Sequence, residues 1–101
     1  IIQLACFQGH THVPGVFTHD MRFLSPPEID CEFVLGDDKV MVNVGSVGQP
    51  RDGDPRSSYV IVDDGCIGFR RVEYPLEITA EKIFKVGELD DFLGDRLRDG
   101  R

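Results

Sequence analysis

Seven consecutive residues at positions 1–7 carry no charge and only one polar side chain, and a glycine-containing segment follows them directly. An apolar run of this length, ended by a glycine loop, is typical of a strand buried inside a parallel sheet. Such a strand needs neighbouring strands on both edges and cover on both faces. We therefore expect the chain to be part of a larger domain that supplies them.

The segment after this run, residues 9–12, has the sequence Gly-His-Thr-His. In an extended segment the imidazoles of His10 and His12 would project to the same side. Neutral imidazole binds Zn, Mn, Fe and Ni, and open α/β sheets place ligands at strand ends. The alternative is an ordinary polar loop with two exposed histidines, but the strand-end position favours metal binding. We expect His19, beside Asp20, to be a surface residue.

A second unusual segment, residues 43–56, is rich in glycine and contains two arginines. Successive backbone N–H groups in such a turn can form an anion-binding concavity, to which Ser46 adds a hydroxyl and Arg51 and Arg56 add guanidinium groups. The segment lacks the Lys-Ser/Thr ending of a nucleotide-binding P-loop. Structural support and substrate contact both remain open as its role. We expect Asn43 to brace the histidine loop through its amide.

Composition limits the class of protein and its partners. The 101 residues allow one domain, and the net charge of −7 argues against a nucleic-acid backbone or an anionic membrane as partner. If such an acidic chain binds a phosphate ester, a cation is needed to offset the negative charges of both, and a metal ion would serve. Cys6, Cys31 and Cys66 form no Cys-x-x-Cys pair, which argues against a structural zinc site and favours a reducing, cytoplasmic setting. We expect Cys6 and Cys66 to be small core residues.

The remaining pattern predicts strands first and helices last. Two hairpins are predicted, residues 31–35 with 40–44 and residues 59–62 with 67–74, after short extended pieces at 16–19 and 21–24. Thr79 is a suitable N-cap for a first helix that Gly87 would end, and a second helix is predicted at about 88–98. These elements make a single partial domain, with strands and hairpins over residues 1–74 and helices over about 79–98. The parallel-type first strand beside hairpins predicts a mixed sheet.

Three segments carry a resemblance to a known family. Residues 9–17, residues 43–56 followed by Ser58-Tyr59, and residues 89–97 resemble the C-terminal third to half of a calcineurin-like metallophosphoesterase. The resemblance is to the small bacterial phosphodiesterase and diadenosine-tetraphosphatase-like branch, and it covers nearly the whole chain. It implies an α/β fold, a four-layer α/β/β/α sandwich with a two-metal centre at the strand ends. This chain would supply its C-terminal part, an α+β unit with a mixed sheet and two terminal helices.

The resemblance also implies roles for individual residues. His10 would bind one metal and His12 the other, the two divalent ions being Mn, Ni, Fe or Zn. Many relatives have proline where this chain has Val44, a departure that should alter rigidity more than chemistry. A supporting or phosphate-binding loop would consist of Gly9, Asn43, Gly45, Ser46 and Arg51.

Four further elements of the family's site precede the Gly-His-x-His segment, and this chain has none of them. They are an Asp-x-His motif, a bridging Asp, a Gly-Asn-His motif and another metal-binding His. Two-metal catalysis needs the bridging carboxylate to hold the ions together. We therefore expect this chain to be the C-terminal portion of an enzyme that hydrolyses phosphate monoesters or diesters with metal-activated water, and to be inactive by itself.

Two rival hypotheses remain. In the first, the chain is a free-standing, non-catalytic binding or assembly module that self-associates through its uncovered opening strand. In the second, a separate N-terminal piece restores activity in trans.

Overall fold

The computed structural model describes residues 4–101. The first three residues of the predicted opening strand lie outside this range. The described chain forms seven strands and two α-helices, with a short 3-10 helix at Pro26–Ile29. The strands are β1 (Ala5–Gln8), β2 (Gly15–Thr18), β3 (Phe23–Leu24), β4 (Glu32–Val34), β5 (Val40–Asn43), β6 (Ser57–Asp63) and β7 (Cys66–Val72), and the helices are α1 (Leu76–Phe84) and α2 (Phe92–Asp99).

The strands form two sheets that pack face to face. The four-stranded sheet has the order β1-β5-β2-β3, in which β1 is parallel to β5 and the other pairs are antiparallel. The three-stranded sheet has the order β4-β7-β6 and is antiparallel. This mixed α+β architecture, with two sheets and two terminal helices, confirms the predicted fold class.

The core lies between the sheets. β-Branched residues of the four-stranded sheet meet aliphatic and aromatic residues of β7, and alternation along each strand directs them inward. The fully or nearly buried members are Val16, Val40, Val42, Ile67 and Phe69. The helices form a separate packed pair, in which Ala80 and Leu97 are buried and Gly94 lies against the ring of Phe84.

The described chain is elongated, with extents of 50 × 24 × 21 Å. Its radius of gyration is 15.7 Å, whereas a compact chain of this length has about 13 Å. No helix within residues 4–101 is long and apolar enough to cross a membrane.

One predicted hairpin is confirmed and the other is wrong. β6 and β7 pair through a tight turn at Asp64 and Gly65, both with positive φ, as a two-residue type I′ hairpin requires. By contrast, β4 joins the three-stranded sheet and β5 joins the other sheet. Residues 36–39 therefore connect the two sheets and do not form a hairpin turn, because β4 pairs with β7 whereas β5 pairs with β1 and β2.

The opening strand is parallel, as predicted, but it is not buried. Within residues 4–101 β1 pairs only with β5, and Cys6 and Phe7 are exposed. The expectation that Cys6 is a core residue is therefore wrong, whereas Cys66 is half-buried. The outer face of this sheet carries an open groove of about 460 Å³ whose lining includes Cys6, Phe17 and Met41.

The helix boundaries differ from the prediction. Helix α1 begins at Leu76 after Pro75, whose ring fixes a φ of −75°, close to the helical value. Thr79 is consequently an exposed residue inside the helix rather than its N-cap. Helix α1 ends at Phe84, before Gly87, and α2 begins only at Phe92. The left-handed glycine that does end a helix is Gly100, with a φ of 66°.

Candidate metal centre

The histidine loop and the glycine-rich loop leave the same edge of the four-stranded sheet. Because β1 and β5 are parallel neighbours, their carboxyl ends lie side by side, with Gln8 opposite Asn43. The pairing continues past the strand ends, since the amide of Val44 donates to the carbonyl of Gln8 at 2.8 Å. Two segments that are 30 residues apart in sequence therefore meet where open sheets place ligands.

Residues 9–12 form a tight turn rather than an extended segment. The amide of His12 donates to the carbonyl of Gly9 at 3.1 Å, and His12 has a φ of 61°. The expectation that both imidazoles project from one face of a strand is therefore wrong, because strand alternation does not apply inside a turn. A β-carbon on Gly9 would lie 3.2 Å from the carbonyl oxygen of Gly45, so the two loops approach closely here.

The ring of His12 is held by a backbone acceptor. Its Nδ1 lies 2.8 Å from the carbonyl oxygen of Gln49, and because a carbonyl only accepts, Nδ1 must donate. In the neutral ring this leaves Nε2 with a free lone pair. Metal-binding histidines usually fix their tautomer with such a bond. The arrangement of His12 therefore fits a divalent metal ligand.

The side chain of His10 is exposed, and its backbone amide donates to Oε1 of Gln8 at 2.8 Å. Its imidazole is therefore accessible at the tip of the turn. His12, by contrast, is half-buried. The turn presents one imidazole to solvent and holds the other against the glycine-rich loop.

Asn43 links the two loops from a fully buried position. Its Nδ2 donates to the hydroxyl of Thr11 at 2.7 Å, and its Oδ1 accepts from the amide of Gly45 at 2.9 Å. One end of the amide therefore holds the histidine turn and the other holds the start of the glycine-rich loop, which is the bracing role predicted for Asn43.

Several backbone N–H groups of the glycine-rich loop already donate to acceptors within the protein. The amides of Val44 and Gly45 are bonded as described, and the amide of Gln49 donates to Oγ of Ser46 at 2.9 Å. The carbonyl of Ser46 accepts from the amide of Ser58 in β6 at 2.9 Å. These bonds favour structural support over phosphate contact for this part of the loop.

The two arginines of the loop are placed differently. Arg51 is exposed and donates from Nη2 only to the side chain of its neighbour Gln49, at 3.2 Å. Arg56 pairs with the carboxylate of Asp54, at 2.7 Å between Nη2 and Oδ2. Hydrogen bonds from the Arg56 side chain and amide, with the nearby charge of Arg71, lower the pKa of Asp54 to about 2. Arg51 is therefore the freer of the two for an anionic substrate.

His19 lies away from this edge, as an exposed residue 3.7 Å from the carboxylate of Asp38. Among residues 4–101 no three His, Cys, Asp or Glu side chains are grouped so as to hold a metal. Of the residues predicted to bind metal, the described chain brings His10 and His12 together in one turn.

Two residues that shape the site were not predicted. Gln49 acts through its backbone carbonyl, which every residue has, so its sequence gives no signal. Arg71 is different, because it follows Ile67 and Phe69 at period two on β7 and so falls on the buried face. A charge on an apolar face of a strand was a signal that it has a specific partner.

Comparisons with known proteins bear on the fold of the chain. No family model matches the chain. The chain is 42% identical over 98 residues to an uncharacterized protein of Methanocaldococcus jannaschii, an alignment that covers 94% of this chain and 39% of that protein. The crystal structure of a metallophosphoesterase from Sphaerobacter thermophilus superposes with a TM-score of 0.82 at 32% identity, over 100% of this chain and 44% of that one.

The fold is therefore similar to part of a metallophosphoesterase, which supports the calcineurin-like superfamily. The chain spans about two fifths of the curated relative that it matches and less than half of the solved structure. The class defined by the fold is a phosphoesterase-like α+β sandwich.

Proposed function

We propose that this chain is the C-terminal portion of a metal-dependent phosphoesterase of the small bacterial phosphodiesterase and diadenosine-tetraphosphatase-like branch. The observation that carries the proposal is the bond from His12 Nδ1 to the carbonyl of Gln49, which leaves Nε2 available at the carboxyl ends of two parallel strands. The structural likeness to a metallophosphoesterase supports the same class.

His10 and His12 would each bind one of two divalent ions, Mn, Ni, Fe or Zn. Such ions activate water and stabilise the phosphoryl oxygens during attack on a phosphate ester. Asn43 fixes the turn that carries both ligands, and the exposed Arg51 offers a guanidinium to an anionic substrate at the same edge. Residues beyond this chain, in cis or in trans, would supply the bridging carboxylate and the remaining ligands.

The test measures hydrolysis of a chromogenic aryl phosphate and an aryl phosphodiester with Mn²⁺. This chain alone should give no turnover. The chain extended by the coding sequence that lies upstream should be active, and His10→Ala and His12→Ala should each abolish that activity, whereas His19→Ala should not. Turnover that survives both site substitutions would contradict the proposal, as would an upstream sequence without Asp-x-His and Gly-Asn-His motifs.

A second candidate is a non-catalytic module that self-associates, and the outer face of the four-stranded sheet favours it. The groove there is lined largely by apolar side chains, among them Leu4, Phe17, Met21 and Met41, and β1 offers an edge beside it. Exposed apolar faces and strand edges recruit partners. Sedimentation of the chain would show a dimer or larger species that Met41→Lys disperses, and a folded monomer would rule the module out.

A further inference from the structure

We propose that Arg71 is a positioning residue for the metal ligand His12. It anchors Asp52 and Asp54 and so fixes the segment whose backbone holds the imidazole. The inference rests on the proposed function, because it assigns a role toward a metal that His12 would bind.

The side chain of Arg71 is half-buried and makes three directed hydrogen bonds. Its side chain is 15% exposed on the inner side of β7. Nη1 and Nη2 each donate to a different carboxylate oxygen of Asp52 at 3.0 Å, and Nη2 also donates to the carbonyl of Asp54 at 2.7 Å. This two-point contact fixes the orientation of the Asp52 carboxylate in addition to pairing opposite charges. A lysine has the charge but cannot make the two-point contact.

The third nitrogen of Arg71, Nε, also faces this loop. Nε is buried without a hydrogen-bond partner, and its nearest carboxylate oxygen, Oδ2 of Asp54, is 3.5 Å away. An unpaired buried N–H is costly, so the two Nη atoms determine the placement of the side chain. Arg71 therefore serves the loop and leaves substrate contact to Arg51.

The anchored segment is the one that holds His12. Immediately before Asp52, the amide of Arg51 donates to the carbonyl of His12 at 3.1 Å. Two residues earlier, Gln49 accepts from the imidazole. His12 has a left-handed backbone, which is uncommon for a residue with a side chain and needs support from its surroundings. Release of Asp52 would weaken that support for both the ring and the backbone of His12.

A second anchor holds the same loop from the other side. The amide of Gly53 donates to the carbonyl of Gly100 at 3.0 Å, at the end of α2. The loop therefore stays in place without Arg71 but loses its fixed orientation. Substitution of Arg71 should accordingly affect His12 more than it affects the fold.

The experiment compares Arg71→Met, Arg71→Lys and Asp52→Asn with the unaltered chain. Arg98→Met is the matched control, because Arg98 makes an exposed fork with Glu77, on the helices. The first readout is the ¹⁵N spectrum of the His12 ring, recorded for every variant at the same pH of about 8. The second is Zn²⁺ affinity by calorimetry, and circular dichroism verifies folding.

The unaltered chain and Arg98→Met should show one tautomer, protonated at Nδ1. Arg71→Met should show averaged ring signals and Zn²⁺ binding weakened about tenfold, since changes behind a metal ligand typically cost about 10–100-fold. Arg71→Lys should not restore the tautomer, because it keeps charge without the fork. If Arg71→Met fails to fold, the same two measurements on Asp52→Asn test whether the contact between Arg71 and Asp52 positions His12.

The experiment distinguishes failure of the positioning role of Arg71 from failure of the proposed metal binding by His12. If Arg71→Met and Asp52→Asn keep the single tautomer, the positioning role is wrong even where His12→Ala abolishes Zn²⁺ binding. If the tautomer is lost in the Arg71 variants but His12→Ala leaves Zn²⁺ affinity unchanged, the structural coupling stands and the proposed metal role of His12 is wrong.

Discussion

Replacement of Gly45 with alanine should destabilise the chain by about 1–5 kcal/mol, for two separable reasons. Gly45 has a φ of 80°, and a left-handed backbone costs an alanine about 1–2 kcal/mol. A β-carbon would also lie 2.5 Å from Oγ and 2.8 Å from Cβ of Ser58, and overpacking typically costs about 1–3 kcal/mol. Alanine also restricts the unfolded chain more than glycine does, and this effect offsets about 0.4–1 kcal/mol of the destabilisation.

Two other glycines of the same segment separate the two contributions. Gly53 has a φ of 85° but open space around its β-carbon position, so Gly53→Ala should cost about 1 kcal/mol from the backbone alone. Gly48 has neither a positive φ nor a neighbour within 4 Å, and Gly48→Ala should change stability by less than about 0.5 kcal/mol.

Urea unfolding followed by circular dichroism gives the three free energies of unfolding, and the slopes verify that the compactness of the unfolded state is unchanged. The expected order of destabilisation is Gly45 first, then Gly53, then Gly48. Equal losses for Gly45→Ala and Gly53→Ala would refute the steric part of the reasoning, since they would mean that the Ser58 side of the loop moves away freely.

Three further predictions concern the loop anchors and the helices. Asn43→Ala removes two hydrogen bonds from a fully buried side chain and should cost about 2–4 kcal/mol in urea unfolding; a loss below about 1 kcal/mol would contradict its bracing role. Hydrogen bonds from Arg56 help lower the pKa of Asp54 from 3.8 to about 2, so its stabilising contribution is present above about pH 4 and is lost as the pH falls through about 2. Thermal unfolding of Asp54→Asn should therefore depend less steeply on pH across that interval, and an unchanged dependence would contradict the assignment. Gly94→Ala places a β-carbon 2.5 Å from the ring of Phe84 and should lower the midpoint of thermal unfolding by several degrees, whereas the open position Gly87→Ala should not.

The strand-end position of the site was predictable because it depends on patterns that the sequence carries directly. The apolar run before Gly9 indicated a parallel-type strand, and the amide of Asn43 was expected near the histidine turn. Those inferences need only the order of apolar and polar residues. The turn at residues 9–12 and the carbonyl of Gln49 were not predictable in this way, because backbone bonds leave no trace in side-chain pattern.

Layer assignment was the weakest part of the prediction. The runs containing β4 and β5 have the composition of a hairpin, yet β5 pairs with β1 and β2 while β4 pairs with β7. Local turn signals cannot distinguish a hairpin from a crossing between sheets, since both need a polar, glycine-containing connection. The choice depends on long-range partners such as Ala5, which lies opposite Val40.

The loop that holds His12 is tied to each layer of the molecule. Its carbonyl at Gln49 and amide at Arg51 bind the histidine turn on the four-stranded sheet, Asp52 binds β7 of the three-stranded sheet, and Gly53 binds the end of α2. The orientation of one imidazole therefore depends on contacts among all three parts. Because core packing does not include the helices, partial undocking of α2 should loosen this loop before the sheets separate. The imidazole of His12, held in this way, therefore reports on the integrity of the whole sandwich.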